Sequence, residues 1–368
     1  MCKLLHVNYS GGGIGVYGVA VDAALKATVA DVDVAFSSDV FCYKNKSFLD
    51  RLGFLVYFFR LVYGSKPDLV LDSSGKCSIY FYFSIFLVCF LLRVKYMPVE
   101  HDPVAHSDMK YGFIKDFLCK LVLDRSAKVI VHGERCKKDF VSKNGFAPVV
   151  IPHVELSHFK DHKSEENVFE FSNNCFNVLF FGALRPNKGV DLLPGVAREL
   201  DILNGSGNGM DRKEYKLYVV GSKRLSPELM KSCWPLALEN ILTELRGCSC
   251  VKIYDSFISD EYIASLFEKT NLVLLPYKDA TQSGVLALAA SFGKPVVATD
   301  VGDLGLDVEK YKLGVLSQYS SKSLVGALRV VEDNEGKFLN SMMEYKENVI
   351  CYKKVGHDIF KVVREICK

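Results

Sequence analysis

The chain has 368 residues, a length that indicates about two domains. Hydrophobic residues make up 49% and charged residues 24%, so a packed core can form without crosslinks. The formal net charge is only +3, from 46 basic and 43 acidic side chains, and neither a basic tail nor a long block of like charge occurs. This balance argues against a nucleic-acid-binding protein, so no nucleic acid is expected as a partner.

The cysteines favour neither a disulfide framework nor a zinc site. No Cys-x-x-Cys pair occurs, and Cys248-Ser-Cys250 has no partner pair at zinc spacing. We therefore expect reduced thiols in a cytosolic protein, and no metal. No secretory signal is predicted, because glycine-rich polar sequence follows Ser10 too early. The 12 cysteines are Cys2, Cys42, Cys77, Cys89, Cys119, Cys136, Cys175, Cys233, Cys248, Cys250, Cys351 and Cys367.

A glycine-rich loop follows the first predicted strand. The spacing Gly13-x-Gly15-x-x-Gly18 matches the dinucleotide fingerprint, and Asp33 stands twenty residues after Gly13. A phosphate- or sugar-binding loop also needs glycines where a ligand meets the backbone, so both interpretations stay open. The elements predicted here are a strand over Lys3–Tyr9, a loop over Gly11–Gly18, a helix to about Ala27 and a strand over Val32–Phe36.

Two apolar segments come next. Phe48–Tyr63 is rich in aromatic and basic residues, and Ile79–Leu92 holds fourteen uncharged residues, followed by Arg93 and Lys95. The second segment is shorter than the roughly 20 residues that span a bilayer. We favour a buried crossover helix for it; the alternative is a helix that lies against a membrane surface.

Polar residues follow the next strands. His101 and Asp102 come directly after a predicted strand, and in an open parallel sheet such positions line the ligand crevice. Polar sequence over 154–174 predicts the connection between two domains. The predicted strands of this part are Lys66–Asp72, Lys95–Glu100, Lys128–His132 and Val149–His153.

The second half repeats the alternation of strands and helices and carries two candidate anion-binding loops. Arg185 and Lys188 follow one strand at the start of a helix, where both can contact one anion. Ser283-Gly284 follows another strand and begins a helix whose first N–H groups and dipole favour a phosphate. Both loops should open to one crevice. The predicted strands are Asn177–Phe181, Leu217–Val220, Val251–Tyr254, Leu272–Leu275 and Val296–Ala298, and the predicted helices are Val190–Leu203, Ser259–Lys269, Val285–Phe292 and Tyr345–Lys368.

These motifs resemble a known family. Phe180–Asp191 and Leu275–Gly302 resemble the donor domain of family-four glycosyltransferases, and Gly12–Tyr17, Glu100–Pro103 and Val150–His153 are similar to its acceptor-domain landmarks, in the same order. The resemblance implies an α/β protein of GT-B architecture, with two facing Rossmann-like domains, parallel sheets and an inter-domain cleft. The acceptor-binding domain would cover 1–165 and the donor-binding domain 174–349, and the helix over 350–368 could pack back on the first domain.

The resemblance also implies a reaction. The protein would be a retaining hexosyltransferase that moves a sugar from a UDP- or GDP-sugar to a glycan, lipid-linked or glycoprotein-glycan acceptor, with no cofactor and no essential metal. It would work in the cytoplasm, either free or at the membrane surface. The implied catalytic residues are His101, Arg185 and Lys188; the implied donor-binding residues are Gly12, Gly13, Gly15, Gly182, Gly221, Ile258, Asp279, Gln282, Ser283, Gly284 and Val285; and Asp102 would contact the acceptor.

One departure from the family pattern leaves alternatives open. The family often has two glutamates around the Ser-Gly turn, and those positions hold Ala280 and Leu288 here, with Asp279 next to the first. Donor identity is therefore open. A non-catalytic GT-B partner subunit is one alternative, and an NAD-dependent oxidoreductase, based on the glycine fingerprint with Asp33, is another.

Overall fold

The computed structural model describes residues 1–40, 48–75, 79–102, 113–161, 164, 168–172, 174–206, 213–223 and 227–368. Cys42, Cys77, Pro103 and six residues of the predicted connection, 162–163, 165–167 and 173, lie outside the described residues. The described residues form two compact units. The first holds the chain up to Leu156 together with Asn348–Lys368, and the second holds Ser157–Glu347.

A parallel sheet forms the centre of the first unit. Its four main strands run in the order β2-β1-β3-β4, and a bridge between Val99 and Ile130 continues the sheet into the parallel pair β5-β6. β1 and β3 are the most buried strands, because helices cover both faces of a doubly wound sheet. The strands are β1 (Cys2–Asn8), β2 (Val34–Val40), β3 (Leu69–Asp72), β4 (Lys95–Pro98), β5 (Ile130–Val131) and β6 (Val149–Val150).

The helices of the first unit include one from the end of the chain. Val355, Ile359, Val362 and Val363 of the last helix are buried at helical spacing, and this helix packs along the first one. A Cβ at Gly356 would lie 2.4 Å from the Ala24 carbonyl oxygen, so the close packing requires glycine. The helices are α1 (Gly12–Thr28), α2 (Phe48–Ser65), α3 (Ile79–Leu91), α4 (Phe113–Asp124), α5 (Glu134–Asn144) and α14 (Tyr352–Cys367).

The second unit is a second parallel α/β layer structure with strand order β12-β11-β10-β7-β8-β9. Its strands are β7 (Cys175–Phe181), β8 (Glu214–Val220), β9 (Val251–Tyr254), β10 (Leu272–Leu275), β11 (Val296–Thr299) and β12 (Gly314–Ser317). Its helices are α6 (Leu193–Gly205), α7 (Pro227–Met230), α8 (Trp234–Arg246), α9 (Asp260–Glu268), α10 (Gly284–Ser291), α11 (Gly302–Tyr311), α12 (Ser321–Asp333) and α13 (Glu335–Tyr345). Because β7 and β10 are neighbours, the loops after them leave the sheet side by side.

The apolar segment at 79–92 is a crossover helix, as the favoured interpretation predicts. α3 buries Phe81, Tyr82, Ile85 and Cys89 among other residues and packs between α2 and α4. Among the described residues, one helical stretch, Gly13–Asp31, is long and apolar enough to cross a membrane by length and composition, and 44% of it is buried inside the protein. That stretch is α1 with the turn after it, the crossover helix between β1 and β2.

One sequence expectation is wrong, and one alternative loses support. Cys2 and Cys367 form a disulfide, with Cα atoms 6.1 Å apart, whereas all cysteines were expected to be reduced. Spacing could not reveal this pair, because 365 positions separate its members and the fold alone brings them together. Asp33 precedes β2 instead of lying at its carboxyl end. Since β1 and β2 are parallel with Cys2 beside Val34, Asp33 lies at the sheet edge opposite the glycine loop. The dinucleotide interpretation thus loses its acidic residue.

Candidate functional site

In the first unit, the glycine loop is tied to the carboxyl end of β3. The Asn8 amide donates to the Ser73 carbonyl oxygen over 2.8 Å, and the Tyr9 N–H donates to the Ser74 hydroxyl over 3.0 Å. The Ser10 hydroxyl donates to the Ser74 carbonyl oxygen. These bonds hold the loop rigidly where it enters α1, and a rigid loop can present its backbone N–H groups to a ligand without reordering.

The glycines of this loop differ in whether the fold has space for a side chain at their positions. A Cβ at Gly15 would lie 2.5 Å from the Ser10 carbonyl oxygen, and one at Gly18 would lie 2.2 Å from the Asn8 amide nitrogen, so the fold itself requires both. A Cβ at Gly13 would meet nothing within 4 Å, although Gly13 lies in the first turn of α1, after Gly12. The fold therefore leaves open space at Gly13, where a ligand can approach the backbone.

His101 belongs to a buried cluster of three histidines around one tyrosine. The rings of His101, His132 and His153 lie 4.7, 4.9 and 4.9 Å from the ring of Tyr17. Tyr17 comes from α1, whereas the histidines follow β4, β5 and β6. The carboxyl ends of three neighbouring strands thus bring together residues that are far apart in sequence, and Asp102, half-buried, follows directly on His101.

Hydrogen bonds connect the His132 ring to the backbone and to the His101 ring. His132 Nδ1 lies 3.1 Å from the Ile151 carbonyl oxygen, and His132 Nε2 lies 3.1 Å from His101 Nδ1. Burial lowers the pKa of His101 and lowers the pKa of His132 well below its usual value. Burial also lowers the pKa of His153 to about 4. The cluster is therefore neutral at physiological pH.

In the second unit, the loop after β7 presents the two predicted cations. Arg185 and Lys188 flank a short 3-10 turn over Pro186–Lys188, which ends at Gly189 in the left-handed conformation. A Cβ at Gly189 would lie 1.7 Å from the Pro276 carbonyl oxygen, so glycine lets this loop pack closely on the loop after β10. The turn keeps both cations at one edge of the sheet.

The loops after β7 and β10 are in direct contact. The Lys278 N–H donates to the Asn187 carbonyl oxygen over 2.9 Å, and the Asp279 N–H lies 3.3 Å from the same oxygen. The Lys188 ammonium lies 3.8 Å from the centroid of the Tyr277 ring, a cation–π contact. The two loops thus form one surface, as the positions of their strands predict.

This surface includes buried polar atoms that make no hydrogen bond within the described residues. Within the described residues, four buried atoms of these two loops lack a hydrogen-bond partner: Arg185 Nε, Asn187 Oδ1, Tyr277 Oη and Gln282 Oε1. A buried polar atom left unpaired costs about 1–3 kcal/mol, so such atoms rarely occur together without a ligand or water to satisfy them. Their concentration around two cations marks a polar ligand site.

The start of α10 adds backbone donors to the same loop. Ser283 is the N-cap, and its hydroxyl accepts from the Leu286 N–H over 3.3 Å. The next N–H groups, of Gly284 and Val285, begin the helix and have no carbonyl partner within it. Gln282 precedes the cap, and the eight-residue helix ends before Gly293, which has a φ of +65°. Serine cap and helix dipole together favour an anion here.

Four more predicted donor residues lie at the same edge of the second sheet. Gly182 and Gly221 follow β7 and β8, and a Cβ at Gly221 would lie 1.7 Å from the Gly182 carbonyl oxygen. Gly221 is thus required for backbone packing. Ile258 is half-buried in the loop after β9, and Asp279 is half-buried next to the β7 loop. The side chains of Ala280 and Leu288 are 5% and 3% exposed, so neither position offers a carboxylate or space for one.

Several residues of these two sites were given no role from the sequence. His132 and His153 follow strands, as His101 does, so their positions at the carboxyl ends of strands could have identified them as candidate site residues. Asn187 and Tyr277 lie within quoted motifs, but only the packed structure shows that their polar atoms are unpaired. Among the described residues, no group of three or more His, Cys, Asp or Glu side chains is placed to hold a metal ion.

Comparison with known proteins identifies the second unit. Residues 175–333 match the family model described as Glycosyl transferases group 1. The match covers less than half of the chain and lies within the second unit. It contains both loops of the ligand site, including Arg185, Lys188 and the N-terminus of α10.

One curated relative matches part of the chain. A D-inositol 3-phosphate glycosyltransferase of Rhodococcus erythropolis is 27% identical over 186 residues, which are 49% of this chain and 39% of that protein. The chain thus matches less than half the length of this relative.

Solved structures match the whole chain in fold. Anabaena HepE, crystallised in complex with UDP, has a TM-score of 0.68 at 16% identity and covers 99% of this chain and 100% of its own. A glycosyltransferase of Rickettsia africae has a TM-score of 0.70 at 12% identity and covers 100% of this chain and 99% of its own. At such identity the likeness concerns the fold alone, and it confirms the predicted GT-B fold.

Proposed function

We propose that the protein is a retaining glycosyltransferase of family four that transfers a hexose from a UDP- or GDP-sugar to a carbohydrate or lipid-linked acceptor. The observation that carries this proposal is the group of four unpaired buried polar atoms beside Arg185 and Lys188. The diphosphate of a sugar nucleotide supplies negative charge for the two cations. Its sugar supplies hydroxyl groups that can donate to or accept from the unpaired polar atoms.

The chemistry of the site fits departure of a nucleoside diphosphate. Breaking the bond between the sugar and the diphosphate places negative charge on the leaving phosphate oxygens. Arg185, Lys188 and the N–H groups of Gly284 and Val285 are fixed before the reaction, so they stabilise this charge more in the transition state than in the ground state. These groups supply the electrostatic stabilisation that a metal gives in other transferases, and the proposal includes no metal or cofactor.

The remaining roles in this proposal are those that the family resemblance implies. His101 contacts the transferred sugar, Asp102 contacts the acceptor, and Gly12, Gly13 and Gly15 bring the backbone of the first unit to the donor diphosphate. In the second unit, Gln282 and Asp279 contact the sugar, and Ile258 with Gly182 and Gly221 borders the nucleoside. The first unit is therefore the acceptor-binding domain and the second the donor-binding domain.

An exposed apolar stripe on α2 supports a membrane-associated acceptor in the cytoplasm. Leu52, Val56, Phe59 and Tyr63 recur at helical spacing and are 40–64% exposed, while the opposite face of the same helix is buried. A soluble surface helix normally presents polar residues at these positions. Contiguous exposed apolar side chains on one face indicate a docking surface, and we assign it to a lipid bilayer.

Cations at the end of this stripe favour an anionic membrane. Tyr63, Lys66, Arg93 and Lys95 line one surface cavity of about 670 Å³. Aromatic side chains beside exposed lysine and arginine are the composition of interfacial helices, which insert the apolar face and hold lipid phosphates with the cations. The peripheral contact would hold the protein near a lipid-linked acceptor.

Liposome co-sedimentation tests the membrane contact. The protein should sediment with vesicles of phosphatidylcholine and phosphatidylglycerol at low salt. Replacing Phe59 and Tyr63 by serine should release it. Ile202→Ser is the matched control, since Ile202 is equally exposed, at 64%, on α6 of the second unit. Absence of sedimentation at low salt, or equal release by the control, would refute the membrane assignment.

Thermal unfolding with candidate ligands tests the donor site. The protein is heated with UDP, GDP, ADP, CMP or NAD, and Arg185→Ala is treated in parallel. A nucleotide at about a hundred times its dissociation constant should add roughly 2.7 kcal/mol to the free energy of unfolding. We expect stabilisation by UDP or GDP that disappears in the variant. Stabilisation by NAD alone would instead support the oxidoreductase alternative.

A non-catalytic partner subunit is the second candidate function. It is favoured by one observation, the buried apolar side chains of Ala280 and Leu288 where acidic residues often contact the donor. Such a subunit would bind a nucleoside diphosphate yet turn over no donor sugar. Release of UDP or GDP from its sugar conjugate, measured with purified protein and an acceptor mixture, separates the two functions.

A further inference from the structure

The position of the hydrogen atom on the His101 ring decides what this residue can do. A neutral imidazole carries one N–H and one lone pair, and the two nitrogens exchange roles between tautomers. The partners of each nitrogen therefore decide whether His101 Nε2 donates or accepts. The whole network that makes this choice lies in the first unit.

The Ile151 carbonyl oxygen is the fixed end of the network. It can only accept, and it lies 3.1 Å from His132 Nδ1, so His132 donates from Nδ1. A neutral His132 then has its lone pair on Nε2. This lone pair faces His101 Nδ1 at 3.1 Å, which requires that His101 carry its hydrogen on Nδ1. The lone pair of His101 is left on Nε2.

The opposite arrangement is less favourable. It would place the His132 lone pair against the Ile151 oxygen at 3.1 Å, so that the His101 Nε2–H could donate to the Ser73 carbonyl oxygen at 3.4 Å. The bond lost has ordinary N–H···O length, and the bond gained is longer than such bonds usually are. The Ser73 oxygen also already accepts from the Asn8 amide at 2.8 Å, so it does not need His101.

A glycine borders the Nε2 edge of the His101 ring. Gly75, with a φ of +62°, lies beside this edge of the ring, and a Cβ there would be 3.0 Å from His101 Cδ2. Glycine thus keeps side-chain atoms away from the nitrogen that has the free lone pair. A sugar hydroxyl is the kind of group that donates to such a lone pair.

We propose that His132 is a positioning residue: it holds His101 in the Nδ1–H tautomer, so that His101 Nε2 accepts a hydrogen bond from a hydroxyl of the transferred sugar. The part that concerns the sugar rests on the proposed function. The part that concerns the tautomer does not, because it follows from the fixed donor and acceptor roles around the two rings. His132 itself contacts no substrate in this scheme.

Both rings must stay neutral for the scheme to hold. Burial lowers the pKa of both, and the charges of His101 and His153 would lower the pKa of His132 further. The groups that face His101 are Tyr17, His132 and His153, together with Asp102 and Glu100, whose charges act in the opposite direction and raise its pKa. Because burial has the largest effect, His101 is neutral at the pH of the cytoplasm.

Nitrogen NMR of the full protein tests the tautomer without any substrate. Protein with ¹⁵N-labelled histidine is recorded at pH 7.5, and His101 is assigned from the signals lost in His101→Gln. We expect the N–H type signal at Nδ1 of His101 and the lone-pair type signal at Nε2. In His132→Leu, which removes the acceptor, the two tautomers should mix. A hydrogen on Nε2 in the unmodified protein, or no change in His132→Leu, would overturn the proposal.

Kinetics with matched variants test the consequence. His132→Leu should lower kcat/KM for the sugar donor about tenfold, as expected for one misplaced hydrogen bond. His132→Gln, whose amide oxygen can accept from His101, should recover most of this loss. Binding of UDP, which lacks the transferred sugar, should be equal in all three proteins, whereas a merely structural defect would weaken it as well. Equal kcat/KM in all three would overturn the sugar contact.

Failure of the proposed function would look different. The unmodified protein would then turn over no sugar donor, while its ring nitrogens still showed the Nδ1–H tautomer and the His132→Leu change. That result would overturn the sugar contact and leave the tautomer assignment intact. If His132→Leu unfolds, His132→Gln still provides the test, because it must keep the His101 tautomer as it is in the unmodified protein.

Discussion

Lys188 is held above the ring of Tyr277, with its ammonium 3.8 Å from the ring centroid, and this contact joins the loops after β7 and β10. A flexible lysine normally samples many rotamers and loses that freedom when it binds an anion. The ring restricts Lys188 before the ligand arrives. The entropy cost of positioning the cation is thereby already met in the folded protein.

Removing the ring should therefore weaken donor binding. Tyr277→Leu should raise the dissociation constant for the nucleoside diphosphate about fivefold, the size of one partly buried cation–π contact. Tyr277→Phe keeps the ring and removes only the hydroxyl, so it should weaken binding less than Tyr277→Leu, and its loss measures the bond that the ligand makes to Tyr277 Oη. Isothermal titration measures both. Equal weakening in the two variants would show that the hydroxyl, not the ring, contacts the ligand.

Adding a methyl group at Gly13 should lower the activity of the protein without lowering its stability. Gly13→Ala meets no atom within 4 Å, so the melting temperature should be unchanged or slightly higher, because alanine favours the helix. If the donor approaches this backbone, kcat/KM should fall roughly tenfold or more, since a methyl group displaces the reacting groups.

Gly15→Ala is the matched comparison for Gly13→Ala. Its Cβ would lie 2.5 Å from the Ser10 carbonyl oxygen, so the folded protein itself should lose stability. Calorimetry and donor kinetics on both variants make the distinction. Full activity in Gly13→Ala would remove Gly13 from the donor site.

Gly189, in the loop after β7, should contribute strongly to the stability of the second unit. Gly189→Ala combines a φ of +70° with a Cβ 1.7 Å from the Pro276 carbonyl oxygen, and should cost about 3 kcal/mol or more of unfolding free energy. Gly53→Ala on α2 meets nothing within 4 Å and should add about 0.5–1 kcal/mol. Urea unfolding of both variants measures these differences, and a tolerated Gly189→Ala would contradict the close packing of the loops.

The histidine cluster should make stability depend on pH. The pKa of His153 is lowered from 6.5 to about 4 by burial, so between these values the unfolded chain binds a proton that the folded chain does not. The free energy of unfolding should thus fall as pH decreases from 6.5 towards 4, and His153 alone accounts for about 2–3 kcal/mol. Below that window its contribution stays constant, and above it the effect is absent.

Urea unfolding at pH 7.5, 5.5 and 4.5 measures this dependence. His153→Gln should unfold with a flatter profile, because glutamine does not titrate. A steep profile that persists in the variant would assign the effect to His101 and His132 instead, and a flat profile in the unmodified protein would contradict the buried neutral cluster.

Periodicity and strand-end rules predicted most of the fold. The runs of apolar residues at 217–220 and 272–275 are strands as expected, because a buried parallel strand must be apolar on both faces. β12 was missed because Gly314–Ser317 is half-buried and short, without the apolar run that identifies the others.

The two candidate sites were predictable to different degrees. Arg185, Lys188 and Ser283 lie in loops after neighbouring strands, and strand order in a parallel sheet brings such loops together. The histidine cluster forms because the ends of three strands come together around Tyr17. No local sequence pattern predicts that these residues are close in space. Likewise, the unpaired atoms of Asn187 and Tyr277 result from packing over their side chains, which the sequence does not describe.

The segment that leads into the second unit is hydrogen-bonded to the segment that leaves it. The Glu155 N–H donates to the Ile350 carbonyl oxygen over 2.8 Å, and the Tyr352 N–H donates to the Glu155 carboxylate over 3.0 Å. The first unit is thus interrupted by the second and is completed by α14. During synthesis on the ribosome, all of Ser157–Glu347 emerges before α14 does. The usual order of folding, with the N-terminal unit first, is therefore reversed: the second unit can fold while β1 and α1 still lack α14.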